Sequence, residues 1–458
     1  MALADMVVVG KTSTRNRVAM LLQFAVENFL SFREPMTLSL LATPGVEHDA
    51  RQVLAGPEER EVLRCAAIYG ANASGKSNLV KAIEFARRLI LTGTRSAEPI
   101  GVRPFKLDEA CRNAPSRFEL EIGAGKSRYS YGFEVSERRV HSEWLFVATD
   151  GTEAKLFERS TDETDASSIE IGDALCSSDH RRQFLNFVAE GTRPNQLFLC
   201  EANERNATEF SQLISSVREL MVISPVTRAR QLGHRLDVDE SFRTFMGSLM
   251  YAAGTGIEEL RVERIDPDDI DPMTTMQIAL RGETVNEISA HTAGPVVLAF
   301  LQIKFAHRDR DGKQVLFSAE EESDGTRRLL HLGPSIYRDG FCYVIDELER
   351  SLHPLLTRMF LERFLAQGAI PDATPSQLIF TTHDTNLLDL SLLSRDSIWF
   401  TEKDPSGAST LYSLADFNPE QLADLGKNLE NGYLQGRFGA IPFFGNLTRL
   451  ISQGGRGS

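Results

Sequence analysis

The stretch Gly70-Ala71-Asn72-Ala73-Ser74-Gly75-Lys76-Ser77 decides the fold of this chain. It follows a short apolar run at residues 64–69 and precedes residues 78–91, where apolar side chains recur at helical spacing. Strand, glycine-rich turn and helix is the context in which the pattern G-x-x-x-x-G-K-[ST] binds phosphate. Backbone N–H groups of such a loop wrap the phosphates, and the positive end of the helix points at them. The sequence therefore predicts a phosphate-binding loop, the Walker A motif.

This loop predicts contacts to a nucleoside triphosphate with Mg²⁺. Lys76 would reach the β- and γ-phosphates, and the Ser77 hydroxyl would bind the metal ion. The remaining contacts are expected from the loop itself and the first helical turn: Gly70, Asn72, Ala73, Ser74, Gly75 and Asn78.

A second apolar run, residues 341–345, ends in two acids, Asp346 and Glu347. A P-loop site needs an acid at another strand end to hold the water shell of the metal, and Asp346 suits that position. Glu347, the next residue, can polarise an attacking water as a general base. Without the loop at 70–77, the two acids would read as an ordinary strand end at the surface.

Two further segments are candidates for the same site because of their order in the chain. The run at 377–382 ends at His383, which can hydrogen-bond a terminal phosphate and sense its loss. Ser323 is a good helix N-cap and Gly325 allows close backbone approach, so their turn is a candidate anion site. Alone, the histidine would be structural or at the surface, and the turn would be a plain one. Their positions around Asp346 favour the functional interpretation.

The composition is that of an ordinary globular protein, with 458 residues, 42% hydrophobic and 25% charged. The formal net charge of −14 gives no general field that favours nucleic acid. A local basic patch is left open at Arg228, Arg230, His234 and Arg235. No apolar run approaches the ~18 residues of a membrane span, so no membrane partner is expected. The five cysteines lack CxxC spacing, which argues against zinc or a disulfide framework and fits a reducing cytoplasm.

The pattern of apolar and polar residues changes several times along the chain. Alternating runs at 116–159 predict an antiparallel sheet, and the acidic, Ser-rich residues 161–179 an exposed loop. Residues 181–253 read as mainly helical. Strand character returns at 256–265, 275–280 and 314–319, and residues 401–413 predict a last hairpin.

The order of these motifs resembles the ABC-type ATPase heads of the SMC, RecF and OLD group over most of residues 20–445. A closer resemblance is to bacterial phage-defence ATPases of the abortive-infection AbiLi/RloA type. The blocks that carry it are residues 67–78, 322–329, 346–354, 381–384 and the tail 432–442. The first four blocks are shared with neighbouring families, and the tail is more particular to this one.

The resemblance implies an α/β fold, an ABC-type P-loop ATPase head with an antiparallel β subdomain and a mainly helical insertion. The expected organisation is a disordered leader (1–19), an N-terminal ATPase lobe with the Walker A motif and antiparallel sheet (20–180), a helical insertion (181–255), a C-terminal ATPase lobe (256–445) and a flexible tail (446–458).

The resemblance also implies ATP and Mg²⁺ as ligands, with Asp346 supporting the metal, Glu347 as base and His383 as switch. Ser323 and Gly325 would contact the γ-phosphate bound by the opposite protomer. A head-to-tail homodimer is therefore implied, and a higher oligomer is left open. The metal-contacting glutamine of these ATPases has no distinct motif in this sequence, and Gln196 is its candidate.

The implied function is that of a cytoplasmic sensor and scaffold in antiviral defence, acting with a separately encoded effector, often a TOPRIM-type nuclease. About 75 residues follow His383, fewer than the ~100 expected of a fused TOPRIM domain, so the effector is expected on another chain. Contact with nucleic acid or a phage component is left open.

The main alternative is an SMC/RecF-like DNA-repair ATPase, but the long coiled-coil arm or basic groove expected of it is not visible. A transporter subunit would need a membrane-facing stripe, which is not evident either. A GTPase interpretation rests on Thr401-Glu402-Lys403-Asp404, whose pattern does not match a guanine-binding motif.

Overall fold

A computed structural model describes residues 19–176, 178–224, 232–265, 286–289, 299–337, 340–367, 376–418 and 429–441. Its strands are β1 (Ala19–Glu27), β2 (Met36–Ser39), β3 (Val53–Ala55), β4 (Glu61–Leu63), β5 (Cys65–Gly70), β6 (Ser116–Ala124), β7 (Ser127–Val135), β8 (Val140–Thr149), β9 (Thr152–Thr161), β10 (Ser167–Ile171), β11 (Leu220–Ile223), β12 (Glu259–Ile265), β13 (Asn286–Ser289), β14 (Ala299–Arg308), β15 (Gln314–Ser318), β16 (Cys342–Ile345), β17 (Gln377–Thr381), β18 (Ile398–Lys403) and β19 (Ser409–Ser413). Its helices are α1 (Lys76–Thr92), α2 (Glu109–Asn113), α3 (Asp179–Gly191), α4 (Phe198–Glu204), α5 (Ser211–Arg218), α6 (Leu232–Val238), α7 (Glu240–Ala252), α8 (Asp324–Leu332), α9 (Pro354–Ala366) and α10 (Leu429–Leu434).

The central sheet has the strand order β11-β16-β17-β5-β18-β19. The pairs from β11 to β18 are parallel, so the carboxyl ends of β5, β16 and β17 meet at one edge of the sheet. On β5, Ala66 and Ile68 face one apolar cluster, whereas Cys65, Ala67 and Tyr69 face another. A parallel sheet covered on both faces requires strands that are apolar throughout, which explains the unbroken apolar runs in the sequence.

Helices cover the two faces of the central sheet. The spacing of Leu79, Ile83, Ala86 and Ile90 predicted a helix, and these four side chains are fully buried in α1 against the first cluster. On the second face, α9 contributes Phe360, Leu361 and Phe364 to the other cluster. The predicted order of strand, glycine-rich loop and helix is confirmed.

A second sheet of seven antiparallel strands has the order β10-β9-β8-β7-β6-β1-β2. Along β7, Tyr129, Tyr131 and Phe133 enter the first apolar cluster, and the residues between them lie on the opposite face. This alternation is the expected pattern of a sheet with one buried face. The predicted α/β class with an antiparallel subdomain is confirmed.

One prediction of local structure was wrong, and a second was correct but incomplete. Residues 161–179 were expected to form an exposed loop, but β10 pairs with β9 there through Ile169 and Ile171 on an edge of the sheet. Residues 181–255 were expected to be mainly helical, and they contain α3 to α7, but also β11, which joins the central sheet beside β16. β11 has only four residues between helices, so periodicity could not distinguish it from them.

A third sheet contains β12, β14, β13 and β15 and packs with α6 to α8 around a separate apolar cluster. Residues 1–18 of the expected leader, the expected strand at 275–280 and the expected tail at 446–458 lie outside the described residues. In the part of the chain that is described, no helix is long and apolar enough to cross a membrane.

The candidate basic patch is only partly described, because Arg228 and Arg230 lie outside the described residues. The guanidinium of Arg235 lies 4.0 Å from the ring centroid of Phe242 and 4.9 Å from that of Tyr337. Arg235 therefore packs on aromatic rings instead of contributing to an open basic surface.

Candidate nucleotide-binding site

The loop at residues 70–77 connects β5 to α1, as the sequence predicts. Gly75 precedes the first helical residue with φ of 122°, and Ala73 also has positive φ, 63°. A side chain at Gly75 would meet the Ser409 hydroxyl at 2.4 Å, so both conformation and space require glycine there.

The Lys76 ammonium lies inside this loop. Its Nζ donates hydrogen bonds to the carbonyl oxygens of Gly70 at 2.7 Å and Ala71 at 3.0 Å. Burial lowers the pKa of Lys76 to about 8, and the charges of Glu349, Asp346 and Glu347 oppose that shift. The cation is thus held where the predicted phosphates would bind, with main-chain carbonyls as its present partners.

Ser77 and Asp346, predicted to share a metal ion, are in direct contact. Ser77 Oγ donates to Asp346 Oδ1 at 3.1 Å. The same carboxylate oxygen accepts a hydrogen bond from Thr381 Oγ1 at 2.7 Å, and Thr381 Oγ1 accepts one from the Glu347 backbone N at 2.8 Å. Asp346 is only 6% exposed. Thr381 ends β17 beside β16, and sequence reasoning missed its bridging position.

Glu347 and His383 lie at the open side of this cluster. Glu347 has φ of 52°, in the left-handed region, and its carboxylate forms an ion pair with Arg350 at 3.1 Å. The His383 side chain is exposed, and its backbone N donates to Glu349 Oε1 at 2.8 Å. Partial desolvation, followed by the charge of Lys76, lowers the pKa of His383. The structure therefore brings both predicted residues to the edge that holds Lys76.

A network of hydroxyl groups supports the loop from behind. Ser74 Oγ lies 2.6 Å from Thr401 Oγ1 on β18, and Ser409 Oγ lies 2.6 Å from the Ser74 carbonyl oxygen. Ser31 Oγ accepts from Asn78 Nδ2 at 2.8 Å and lies 2.8 Å from Ser409 Oγ. The hairpin at 401–413 was predicted, but its contact with the loop was not. Thr401, from the weak guanine-like pattern, supports the loop through its hydroxyl.

The turn before α8 is built as predicted, but it lies against a different segment. Ser323 Oγ accepts a hydrogen bond from the Thr326 backbone N at 3.1 Å, which confirms the N-cap. A side chain at Gly325 would meet the Ser351 carbonyl oxygen at 2.8 Å. No hydrogen bond among the described residues joins Ser323 or Gly325 to the loop at 70–77.

Arg328 connects α8 to the strand end that carries the acids. Its Nη2 donates to the carbonyl oxygens of Asp346 and Glu347, both at 2.8 Å. The side chain is buried, and burial lowers its pKa. The candidate anion turn and the two acids therefore share one connected unit within the chain.

Gln196 is not at this site, so the prediction that it contacts the metal is wrong. Its Oε1 accepts from the Thr94 backbone N at 2.7 Å, and its side chain packs on Gly93, just after the last residue of α1. With 17 residues in α1, this position is about 25 Å from the Lys76 end. Its own carbonyl oxygen is bound by Arg159, which indicates a structural role.

The described part of the 432–442 tail packs beneath the loop; Pro442 lies outside the described residues. The Tyr433 ring lies 6.1 Å from that of Tyr69 and 5.7 Å from that of Phe400. Tyr69 lies on β5 directly before Gly70, so the tail covers the strand that leads into the phosphate-binding loop.

A parallel sheet in which the loop serine meets an acid from another strand end defines a P-loop nucleotide-binding protein. A family model described as "AAA domain, putative AbiEii toxin, Type IV TA system" matches residues 65–389, more than half of the chain. The chain belongs to this family and carries its AAA-type ATPase domain. No curated protein matches the chain.

Solved structures of SMC heads are similar to this chain. The SMC head domain from Thermotoga maritima is 14% identical with a TM-score of 0.37, covering 86% of this chain and 98% of that one. An SMC head bound to the C-winged helix domain of ScpA is 12% identical with a TM-score of 0.39, covering 88% and 99%. The SMC head with an extended coiled coil, bound to a C-terminal ScpA domain derived from Pyrococcus furiosus, is 12% identical with a TM-score of 0.36, covering 90% and 99%.

Proposed function

We propose that this protein binds and hydrolyses Mg-ATP as an ABC-type head-to-tail dimer, and that it is the sensor and scaffold of an antiviral defence system. The observation that carries the ATPase proposal is the hydrogen bond of Ser77 Oγ to Asp346 Oδ1. These residues are 269 positions apart, and they converge beside a buried lysine that has only carbonyl partners among the described residues.

The donor groups fit the proposed ligands. The Ser77 hydroxyl and the Asp346 carboxylate are hard oxygen ligands of the kind that Mg²⁺ prefers. When bound, the metal ion would neutralise charge on the phosphate oxygens. Backbone N–H groups of residues 70–78 would hold the phosphates, and Lys76 would exchange its carbonyl partners for phosphate oxygens.

Two residues at the open side would act on hydrolysis. Glu347 would orient the attacking water and accept its proton, and His383 would hydrogen-bond the γ-phosphate. The left-handed backbone of Glu347 supports this proposal, because strained conformations of non-glycine residues concentrate at functional sites.

The dimer is proposed because the turn before α8 is not hydrogen-bonded to the phosphate-binding loop of its own chain among the described residues. Ser323 and Gly325 lie at an exposed helix N-terminus beside Ser351 and are not bonded to the loop at 70–77 among the described residues. A second protomer would bring this turn to the γ-phosphate, where the α8 N-terminus would stabilise negative charge. Arg328 would connect the turn of one site with the acids of the other.

The defence role rests on the family, whose description names the AbiEii toxin and a type IV toxin–antitoxin system. We assign the chain to the AbiLi/RloA type because of the tail at 432–442, and we propose a separately encoded effector, with a TOPRIM-type nuclease as first candidate. Co-purification with the product of the neighbouring gene tests this assignment. A stable complex that restricts phage only with intact Lys76 is expected, and restriction unaffected by Lys76→Ala would contradict it.

The ATPase proposal is tested with Glu347→Gln. We expect ATP hydrolysis to fall by about a hundredfold or more, because the proton acceptor is lost, while ATP affinity is kept. Phosphate release, nucleotide affinity and mass in solution should show an ATP-bound dimer that accumulates. Glu362→Gln, at an exposed position of α9, is the matched control and should keep the wild-type rate. Hydrolysis by Glu347→Gln at the wild-type rate would refute the assignment.

The shared site is tested by mixing two inactive variants, Lys76→Ala and Gly325→Asp. In a head-to-tail dimer, one of the two sites in a mixed pair combines an intact loop with an intact turn. Partial recovery of ATP hydrolysis is therefore expected. If both variants dimerise but every mixture stays inactive, the composite site is wrong.

A further inference from the structure

Glu349 is an acid close to the proposed nucleotide site, but it belongs neither to the Walker A loop nor to the Asp346-Glu347 pair. It lies in the loop between β16 and α9, three residues after Asp346. Its Oε1 accepts a hydrogen bond from the His383 backbone N at 2.8 Å. Glu349 thereby joins the loop that carries the two acids to the loop that carries the histidine.

This contact is the outermost of three successive links between the same two segments. The Glu347 backbone N donates to Thr381 Oγ1 at 2.8 Å, and the Leu348 backbone N donates to the Thr381 carbonyl oxygen at 3.0 Å. The first two links hold β17 at its last residue. The bond to Glu349 is the one that extends beyond the strand to His383.

The second carboxylate oxygen, Glu349 Oε2, is buried without a hydrogen-bond donor among the described residues. A buried acceptor left without a partner costs free energy, so stability alone does not account for an acid at this position.

We propose that Glu349 is a positioning residue for ATP hydrolysis, which holds the backbone of His383 so that the imidazole meets the terminal phosphate. This inference rests on the proposed ATPase function. A backbone anchor fixes where the loop begins, whereas the histidine side chain is exposed. Misplacement of a reacting or sensing group by about 1 Å can lower a rate by a hundredfold. Phosphate binding by the loop at 70–77 uses other atoms, so Glu349 should affect kcat more than nucleotide affinity.

The experiment is a double-mutant cycle between Glu349 and His383. Glu349→Ala should lower kcat by about ten- to a hundredfold, with ATP affinity changed by less than about threefold. Glu349→Gln keeps an oxygen acceptor for the His383 N–H and should retain most of the wild-type kcat. Because Glu349 acts through the histidine, Glu349→Ala combined with His383→Ala should be no slower than His383→Ala alone.

Several outcomes would overturn this proposal. Losses that multiply in the double variant would mean that Glu349 acts independently of His383. An equal loss in Glu349→Gln and Glu349→Ala would mean that charge, and not the hydrogen bond, is what counts. If Glu349→Ala does not fold, as thermal unfolding would show, the cycle is run with Glu349→Leu and with Glu349→Gln against His383→Ala. Absence of hydrolysis by the wild-type protein would overturn the ATPase function as well, whereas an active wild type with multiplying losses overturns this inference alone.

Discussion

Two clusters of charged side chains in this molecule are built on opposite principles. The edge cluster, at the carboxyl ends of the central strands, consists of Lys76, Asp346, Glu349 and His383. The buried cluster, between the antiparallel sheet and α4, consists of Tyr131, Glu143 and Arg159. Both contain a cation close to at least one buried or partly buried acid, yet they satisfy their polar atoms to different degrees.

In the buried cluster, every carboxylate oxygen has a donor. Glu143 Oε2 accepts from the Phe198 backbone N at 2.7 Å, and Oε1 accepts from the Leu199 backbone N at 3.0 Å and from Tyr131 Oη at 2.9 Å. Arg159 lies 3.8 Å from Glu143 and also donates to the carbonyl oxygens of Arg193, Pro194 and Gln196. Burial raises the pKa of Glu143, while Arg159 and these donors oppose the shift. The acid caps the start of α4 and fixes the segment before it.

In the edge cluster, groups are held in place without being fully satisfied. Glu349 Oε2 has no donor among the described residues, and Lys76 binds neutral carbonyls instead of a carboxylate. Charged groups whose hydrogen-bonding positions are all occupied within the protein stabilise the fold. Charged groups with unoccupied positions can still bind a ligand. Variants in the two clusters should therefore separate binding from stability.

The largest effect on ATP binding is expected for Lys76→Ala. The variant should lose at least about a hundredfold in ATP affinity, because the charged donors to two phosphates are removed. Titration with a fluorescent ATP analogue measures this loss. Lys81→Ala, at an exposed position on the same helix, should bind as the wild type does. Unchanged affinity in Lys76→Ala would show that the edge cluster is not the nucleotide site.

Glu143→Ala should lower the stability of the protein and leave its ATP affinity unchanged. Removal of one partner of a buried ion pair leaves an uncompensated charge, so the free energy of unfolding should fall by about 3–5 kcal/mol. Folded protein should keep its ATP affinity. Denaturant unfolding measures the first quantity, and Glu134→Ala, in a partly exposed pair with Arg117, should cost less than about 1 kcal/mol. A loss of ATP affinity without a loss of stability would contradict the assignment of the buried cluster.

The smallest effect concerns pH. The pKa of Lys76 is about 8 in the folded protein, against an ordinary value of 10.5. Between these values the unfolded chain binds more protons, so this residue makes the wild type more stable as pH rises. From pH 8 to 9.5 the free energy of unfolding should increase by about 1–2 kcal/mol relative to Lys76→Met. If the free energy of unfolding of the wild type does not rise relative to that of Lys76→Met over this range, Lys76 is not desolvated.

Much of the fold and part of the site could be predicted from the sequence. The loop at 70–77, the helix after it and the acids at 346–347 are local patterns, because glycine conformations, apolar runs and helical spacing act over a few residues. The same local rules missed β10 and β11, whose strands are short and whose pairing partners lie elsewhere in the chain.

What only the tertiary structure decided is which distant residues meet at the strand ends. Ser77 and Asp346 were expected together, but the contacts of Thr381 with Asp346, of Glu349 with His383 and of Ser409 with the loop were not. These contacts depend on the order of parallel strands in the sheet and on hydroxyl and backbone groups that carry no sequence signature. The sequence by itself determined that a phosphate-binding loop exists, since that loop is local. The packing of the central sheet determined the groups that surround it, because parallel neighbours are joined by long crossover connections.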